Sequence, residues 1–89
     1  MVERELLIAN KLGLHARATA KLVQVLSAFR SNATLVAKGR EVNAKSIMGV
    51  MLLAAGYGTT VVLRLEGEDE AAAMEAAAAL FERKFDEGS

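Results

Sequence analysis

The sequence predicts an α+β protein with the element order βαββαβα, in which three helices cover one face of a four-stranded, largely antiparallel sheet. Three observations predict this class. Apolar and charged residues alternate over residues 2–8, apolar residues recur at helical spacing over residues 16–29, and β-branched residues dominate residues 59–67. Because no internal boundary divides its 89 residues, we expect a single domain over residues 1–89 with an ordered core at about 2–85.

The first strand and the first helix are predicted from hydrophobic periodicity. The alternation in VERELLI, residues 2–8, is typical of a half-buried strand, and Asn10 and Gly13 mark the turn that follows it. One face of the predicted helix over residues 16–29 is apolar. The residues of that face are Thr19, Leu22, Val23, Leu26 and Phe29.

A hairpin and a short helix follow. In ATLVAKGREVN, residues 33–43, two short strands are joined at Lys38 and Gly39, where glycine can adopt the positive φ of a tight turn. Ser46 is expected to cap a helix over residues 47–52, because its hydroxyl can accept from a backbone N–H two or three residues later. Five of these six residues are apolar and cannot all face one core, so some should remain exposed.

The last strand and the last helix close the predicted fold. The run TTVVLRLEG, residues 59–67, is the strongest strand signal. Its buried face is expected at Val61, Leu63 and Leu65. The acidic residues 68–70 suit the start of a helix and Arg83 and Lys84 its end. The expected buried stripe of this helix comprises Met74, Ala77, Ala78, Phe81 and Phe85.

Composition excludes several classes of function. The chain has no cysteine and therefore no disulfide, thiolate ligand or cysteine nucleophile, which suits a reducing cytoplasm. Eleven basic and eleven acidic residues give zero net charge, and only four aromatic residues offer stacking surfaces, so nucleic acid is not an expected partner. No uncharged apolar run reaches about 18 residues, and no signal-peptide pattern is present, so we expect a cytoplasmic protein without membrane insertion.

The only histidine, His15, stands immediately before the first predicted helix. The unpaired backbone N–H groups at the helix start, here those of Ala16 and Arg17, favour an anion. Neutral imidazole is a nucleophile near pH 7, and the Arg17 guanidinium offers donors suited to phosphate oxygens. On spacing alone, the pattern favours an ordinary capping or turn residue at His15 and a solvated charge at Arg17. A metal site is not expected, because zinc takes three or four protein ligands and the chain has no second histidine.

Two segments resemble a known family. GLHAR, residues 13–17, is similar to the active-site signature of the histidine-containing phosphocarrier (HPr) family of the bacterial phosphoenolpyruvate-dependent phosphotransferase system. VNAKSIMGVM, residues 42–51, resembles the regulatory-serine region of that family, and the two motifs have the family's separation. The resemblance implies an HPr-like open-faced β-sandwich and a phosphocarrier function. One departure is Ala18, where the family commonly has a proline that presets φ in the first helical turn.

The resemblance implies a role for each matching residue. His15 would accept a phosphoryl group on Nδ1 from phosphorylated enzyme I and pass it to an enzyme IIA domain, for sugar uptake or for regulation. Arg17 and the backbone of Ala16 and Arg17 would steady the group, and Ser46 matches the serine that an HPr kinase/phosphorylase modifies. The residues that match the family's docking patch are Ile47, Met48 and Met51. We expect a monomer without a cofactor.

The energetics favour a carrier over an independent catalyst. A helix terminus contributes about 0.3–1 kcal/mol to a nearby anion, and a charge-assisted hydrogen bond about 1.5–3 kcal/mol. Together these supply about two or three orders of magnitude in rate, so most of the catalysis must come from partner enzymes. Two alternatives remain open at this point. One is a regulatory domain of the same fold that docks enzymes without transferring a phosphoryl group, and the other is a ferredoxin-like ligand-binding module.

Overall fold

The computed structural model describes residues 1–88. The strands are β1 (Val2–Leu7), β2 (Asn32–Ala37), β3 (Arg40–Asn43) and β4 (Thr60–Glu66). The helices are α1 (Ala16–Ser27), α2 (Ile47–Leu52) and α3 (Glu70–Glu82), and a 3₁₀ turn, Lys84–Asp86, follows α3. The order of strands and helices confirms the predicted βαββαβα arrangement.

The sheet is antiparallel throughout and has the strand order β1-β4-β2-β3. Its register places Leu6 opposite Val61 and Leu35 opposite Leu63, and all four side chains are buried. Because alternate side chains of a strand point to opposite faces, this register turns one apolar row of the sheet towards the helices. The predicted α+β open-faced sandwich is therefore confirmed.

The core lies between the sheet and the helices. Leu22 and Leu26 of α1 are fully buried, and full burial of one leucine contributes about 1.5–3 kcal/mol to folding. Ala73 and Ala77 of α3 are also fully buried, and their small side chains let this helix pack close to β1 and β4. No helix within residues 1–88 combines the length and the apolar character that a bilayer span requires.

Two local sequence signals are confirmed in detail. Lys38 and Gly39 have φ values of 54° and 76°, and two consecutive positive values are typical of the tight turn that joins β2 to β3. The Ser46 Oγ accepts a hydrogen bond from the Gly49 N–H at 3.1 Å and so caps α2.

Three details differ from the sequence prediction. Helix α1 ends at Ser27, before Phe29, and Val23 is only partly buried whereas Ala18 is completely buried. Helix α3 ends at Glu82, so Phe85 is buried outside the helix. Phe85 is buried outside α3 because the backbone reverses at the end of this helix. The reversal brings the Phe85 ring back against the core, although the helical spacing stops before it.

Candidate functional site

His15 occupies the N-cap position of α1 with an extended backbone (φ −78°, ψ −177°). Its carbonyl accepts the first helical hydrogen bond, from the Thr19 N–H at 2.9 Å. The Thr19 hydroxyl donates to the Leu14 carbonyl at 3.1 Å and also fixes this turn. Because the His15 side chain makes no capping hydrogen bond to α1, the structure does not favour an ordinary capping role for its imidazole.

The loop that carries His15 is held against the segment between α2 and β4. The Leu14 N–H donates to the Ala55 carbonyl at 2.9 Å. Gly13 has φ +66°, and a Cβ at this position would lie only 2.7 Å from the Gly56 Cα. Any larger residue would push the two segments apart, so glycine allows the contact that fixes the start of α1.

Three backbone N–H groups open α1, those of Ala16, Arg17 and Ala18, and they find no acceptor among residues 1–88. Such groups, together with the helix dipole, attract an anion to the position that His15 borders. Ala18, which stands where the family that the chain resembles commonly has proline, is fully buried. Since a proline would lack only an N–H that is unpaired here, alanine leaves the hydrogen bonding of this turn unchanged.

The His15 imidazole contacts a residue from the far end of the chain. Its Nε2 lies 2.5 Å from Oε2 of Glu87, and the second carboxylate oxygen of Glu87 accepts a hydrogen bond from Asn10 Nδ2 at 3.0 Å. Asn10 Nδ2 also donates to the Gly13 carbonyl at 2.9 Å. The Nδ1 atom of His15 has no hydrogen-bond partner within the described residues. One ring nitrogen is therefore engaged and the other is available.

A left-handed turn directs Glu87 towards His15. Lys84, Phe85 and Asp86 have φ values of 55°, 55° and 62°, which non-glycine residues adopt only at an energetic cost. The turn is held by burial of the Phe85 ring and by Lys21, whose Nζ donates to the Phe85 carbonyl at 2.9 Å. Strained backbone persists only where its surroundings over-determine it and often accompanies functional sites.

The electrostatic surroundings keep Glu87 ionised. Burial raises the pKa of its carboxyl group. The hydrogen bonds from Asn10 and His15 and the electrostatic attraction of His15 and Arg17 lower the pKa, and together they outweigh burial. The net pKa of Glu87 lies below its ordinary value, so this side chain is an acceptor at neutral pH.

Arg17 is exposed and lines a cleft of about 280 Å³ at the same end of α1. The cleft is bounded by Leu12, Arg17, Lys21, Asp86 and Glu87. The hydrogen bonds and ion pairs within residues 1–88 do not engage the Arg17 guanidinium, so its donors can turn towards an anion near the start of α1.

Helix α2 presents an apolar surface next to α1. Of its residues, Val50 is buried, whereas Met48 is 75% exposed. The exposed apolar side chains of α2 are Ile47, Met48, Met51 and Leu52, which we call the α2 patch. Ser46 is partly buried at the start of this patch. The expectation that some of these apolar residues remain exposed is confirmed.

Sequence reasoning missed Asn10 and Glu87. Asn10 carries an ordinary turn signal, and the structure shows instead that its amide is fully buried and bonded to Glu87. Glu87 is separated from His15 by 72 positions, and no motif links the two. Arg17 lies on α1 and Ser46 caps the neighbouring helix α2, but neither makes a direct hydrogen bond to His15 within the described residues.

Known proteins with similar sequences and structures identify the family of the chain. The family model described as the PTS HPr component phosphorylation site matches residues 2–83. The phosphocarrier protein HPr of Xylella fastidiosa strain 9a5c is 67% identical over 87 residues, which cover 98% of each chain. The structure of HPr-C-His from Thermoanaerobacter tengcongensis has a TM-score of 0.95 and 46% identity, and covers 98% of each chain.

An HPr dimer from Thermoanaerobacter tengcongensis matches with a TM-score of 0.77 and 46% identity, covering 96% of this chain and 98% of that chain.

The fold, the family match and the identity of the relatives lead to one conclusion. The chain belongs to the HPr family, the histidine-containing phosphocarriers of the phosphotransferase system.

Proposed function

We propose that His15 of this single domain, residues 1–89, carries a phosphoryl group on Nδ1. The proposal rests on the different surroundings of the two ring nitrogens of His15. Nε2 is engaged by Glu87, whereas Nδ1 has no partner among residues 1–88. Family membership supplies the chemistry, since the matching family is defined by its phosphorylation site.

The start of α1 provides a modest anion site for the phosphoryl group. The N–H groups of Ala16 and Arg17 have no acceptor within the described chain and can donate to phosphoryl oxygens, and the exposed Arg17 guanidinium adds further donors. A carrier must also release the group, so strong binding would trap it. Only the part of these interactions that is larger in the transition state accelerates transfer.

Enzyme I is the proposed donor and enzyme IIA domains are the proposed acceptors, with transfer taking place in the cytoplasm. The α2 patch suits both partners, because exposed apolar side chains beside a reactive site favour contact with other proteins. Ile47, Met48 and Met51 are its proposed docking residues. The patch is small, which suits complexes that form and dissociate at each transfer.

Ser46 is the proposed regulatory site, modified by a kinase of the HPr kinase/phosphorylase type. A phosphate on Ser46 would stand at the N-terminus of α2, where negative charge is compatible with the helix. It would also place about two negative charges beside Ile47 and Met48. Docking of an acidic partner surface should weaken while the fold remains intact.

A monomer is sufficient for the proposed activity. His15, Arg17, Asn10 and Glu87 are brought together within one chain, so the site needs no residue from a second copy. Sedimentation equilibrium across a range of concentrations tests the expectation that the protein is a monomer in solution. A stable dimer at micromolar concentration would contradict it.

Intact-mass measurement tests the carrier function. The wild-type protein and a His15→Ala variant are incubated with enzyme I and phosphoenolpyruvate. We expect one phosphoryl adduct on the wild type, lost in mild acid, and no adduct on the variant. Addition of an enzyme IIA domain should then discharge the wild-type adduct. A wild type that takes up no phosphoryl group from a competent enzyme I would leave a docking domain as the better interpretation.

A further inference from the structure

We infer that Glu87 is a positioning residue for phosphoryl transfer, an assignment that rests on the proposed role of His15. Its carboxylate holds the proton of the His15 imidazole on Nε2 and thereby keeps the lone pair on Nδ1. Asn10 completes the arrangement by orienting the carboxylate. This chain of three side chains runs from a buried amide to the reacting ring.

The hydrogen bonds leave only one consistent set of donors. The amide nitrogen of Asn10 faces two oxygens, the Gly13 carbonyl at 2.9 Å and Glu87 Oε1 at 3.0 Å, so the orientation of this amide is fixed. An ionised carboxylate only accepts, so His15 Nε2 must donate to Oε2 across 2.5 Å. A neutral ring with its proton on Nε2 has its lone pair on Nδ1.

The burial of Asn10 independently supports its role in orienting the Glu87 carboxylate. Its side chain is completely buried, and its Oδ1 finds no partner within residues 1–88. A buried unpaired carbonyl destabilises a protein, and an apolar residue at this position would avoid that cost. Asn10 instead donates two amide hydrogens, one to the Gly13 carbonyl and one to Glu87, and an apolar residue could donate neither.

The arrangement serves the transfer step in both directions. The Nδ1 lone pair forms a bond to phosphorus while the bond between phosphorus and the donor breaks, and that electron pair stays with the donor. The ring then holds the phosphoryl group on Nδ1 and the proton on Nε2, and the Glu87 carboxylate faces its positive charge. On delivery, the electron pair of the N–P bond returns to Nδ1, and the ring leaves as neutral imidazole. No proton has to be gained or lost.

A glutamine at position 87 should invert the tautomer. The Asn10 amide would bind the oxygen of the new side chain, because it donates to Oε1 in the wild type. The NH₂ group of the glutamine would then face His15 Nε2, which would have to accept, so the ring proton would move to Nδ1. An alanine at this position would leave Nε2 to water and would impose neither tautomer.

The test compares Glu87→Gln, Glu87→Ala and a control, Asp86→Asn, which removes the neighbouring charge but does not touch His15. The ¹⁵N shifts of the ring nitrogens report the tautomer at alkaline pH, and His15 is the only histidine to assign. Phosphoryl uptake from enzyme I is timed by intact mass. We expect Glu87→Gln to carry the proton on Nδ1 and to accept the group at least about tenfold more slowly than the wild type.

The relative rates of phosphoryl uptake by the variants distinguish a positioning role of Glu87 from a merely structural one. Glu87→Ala should retain more activity than Glu87→Gln, whereas a merely structural contact would be preserved better by glutamine. Wild-type tautomer and wild-type rate in Glu87→Gln would overturn the inference and leave the carrier function standing. Failure of the wild type itself to take up a phosphoryl group would overturn the carrier function and, with it, this assignment.

Discussion

The ring of Phe85 packs against the ring of Phe81, with the two centroids 4.8 Å apart and the ring planes inclined at 59°. Phe85 is completely buried although its own backbone is left-handed. The aromatic contact therefore anchors the turn that directs Glu87 to His15. Core packing and the arrangement of the candidate site depend on the same residue.

Phe85→Ala is expected to lower the free energy of unfolding by about 3–5 kcal/mol, because a large buried ring is lost and a cavity remains. Urea denaturation monitored by circular dichroism measures this change. Lys84→Gly in the same turn is the control. Glycine adopts a positive φ without a Cβ penalty, so this variant should be at least as stable as the wild type. Equal destabilisation by both variants would contradict the anchoring role of the ring.

Ser46→Ala should lower the free energy of unfolding by about 1 kcal/mol, because the bond from the Gly49 N–H to the Ser46 hydroxyl is lost. Ser46→Asp and Ser46→Asn should both keep the cap, and thermal denaturation checks all three variants. The charged variant alone should slow phosphoryl uptake from enzyme I. If Ser46→Asp reacts as fast as Ser46→Asn, charge at this position does not regulate docking.

Met48→Ala should weaken association with enzyme I about fivefold while changing stability by less than about 0.5 kcal/mol, since the side chain is 75% exposed. The dependence of the phosphoryl transfer rate on carrier concentration gives the measurement. Leu7→Ala is the matched control, because Leu7 is an exposed apolar residue on β1 and lies outside the α2 patch. Equal weakening by both substitutions would show that the α2 patch has no special part in docking.

Asp69 should contribute to the stability of the protein in a pH-dependent manner. A hydrogen bond from the Ser31 hydroxyl, followed by bonds from the Arg30 and Ser31 N–H groups, holds the pKa of Asp69 below its usual value. Because the folded-state pKa is depressed, this contribution is complete above the unfolded pKa of about 3.9 and is lost as the pH falls through the folded value.

Melting temperatures of wild-type protein and Asp69→Asn between neutral and acidic pH test this dependence. The variant should melt lower at neutral pH, and the difference should shrink as the wild-type carboxylate becomes protonated. A difference that stays constant over the whole range would mean that the charge of Asp69 does not contribute.

Local features were predictable from the sequence because their causes are local. The turn at Lys38 and Gly39, the Ser46 cap and the buried face of β4 each depend on residues a few positions apart. His15 at a helix start was predictable for the same reason. The chemistry proposed for that position came from the resemblance to a known family.

The contact between His15 and Glu87 was not predictable, because it depends on an irregular chain reversal. Three consecutive left-handed residues, Lys84–Asp86, include no glycine that could signal the turn, and the helical spacing placed Phe85 on α3. The hydrogen bond from the buried Asn10 amide to Glu87 was not predictable for the same reason. Long-range contacts of this kind emerge only once the whole chain is packed.

¹⁵N–³¹P coupling in the phosphorylated protein with labelled histidine tests most directly whether the phosphoryl group resides on Nδ1 of His15. We predict coupling between phosphorus and Nδ1, with Nε2 still bearing its proton towards Glu87. Coupling to Nε2, or phosphorus on any residue other than His15, would contradict the proposed role of Nδ1.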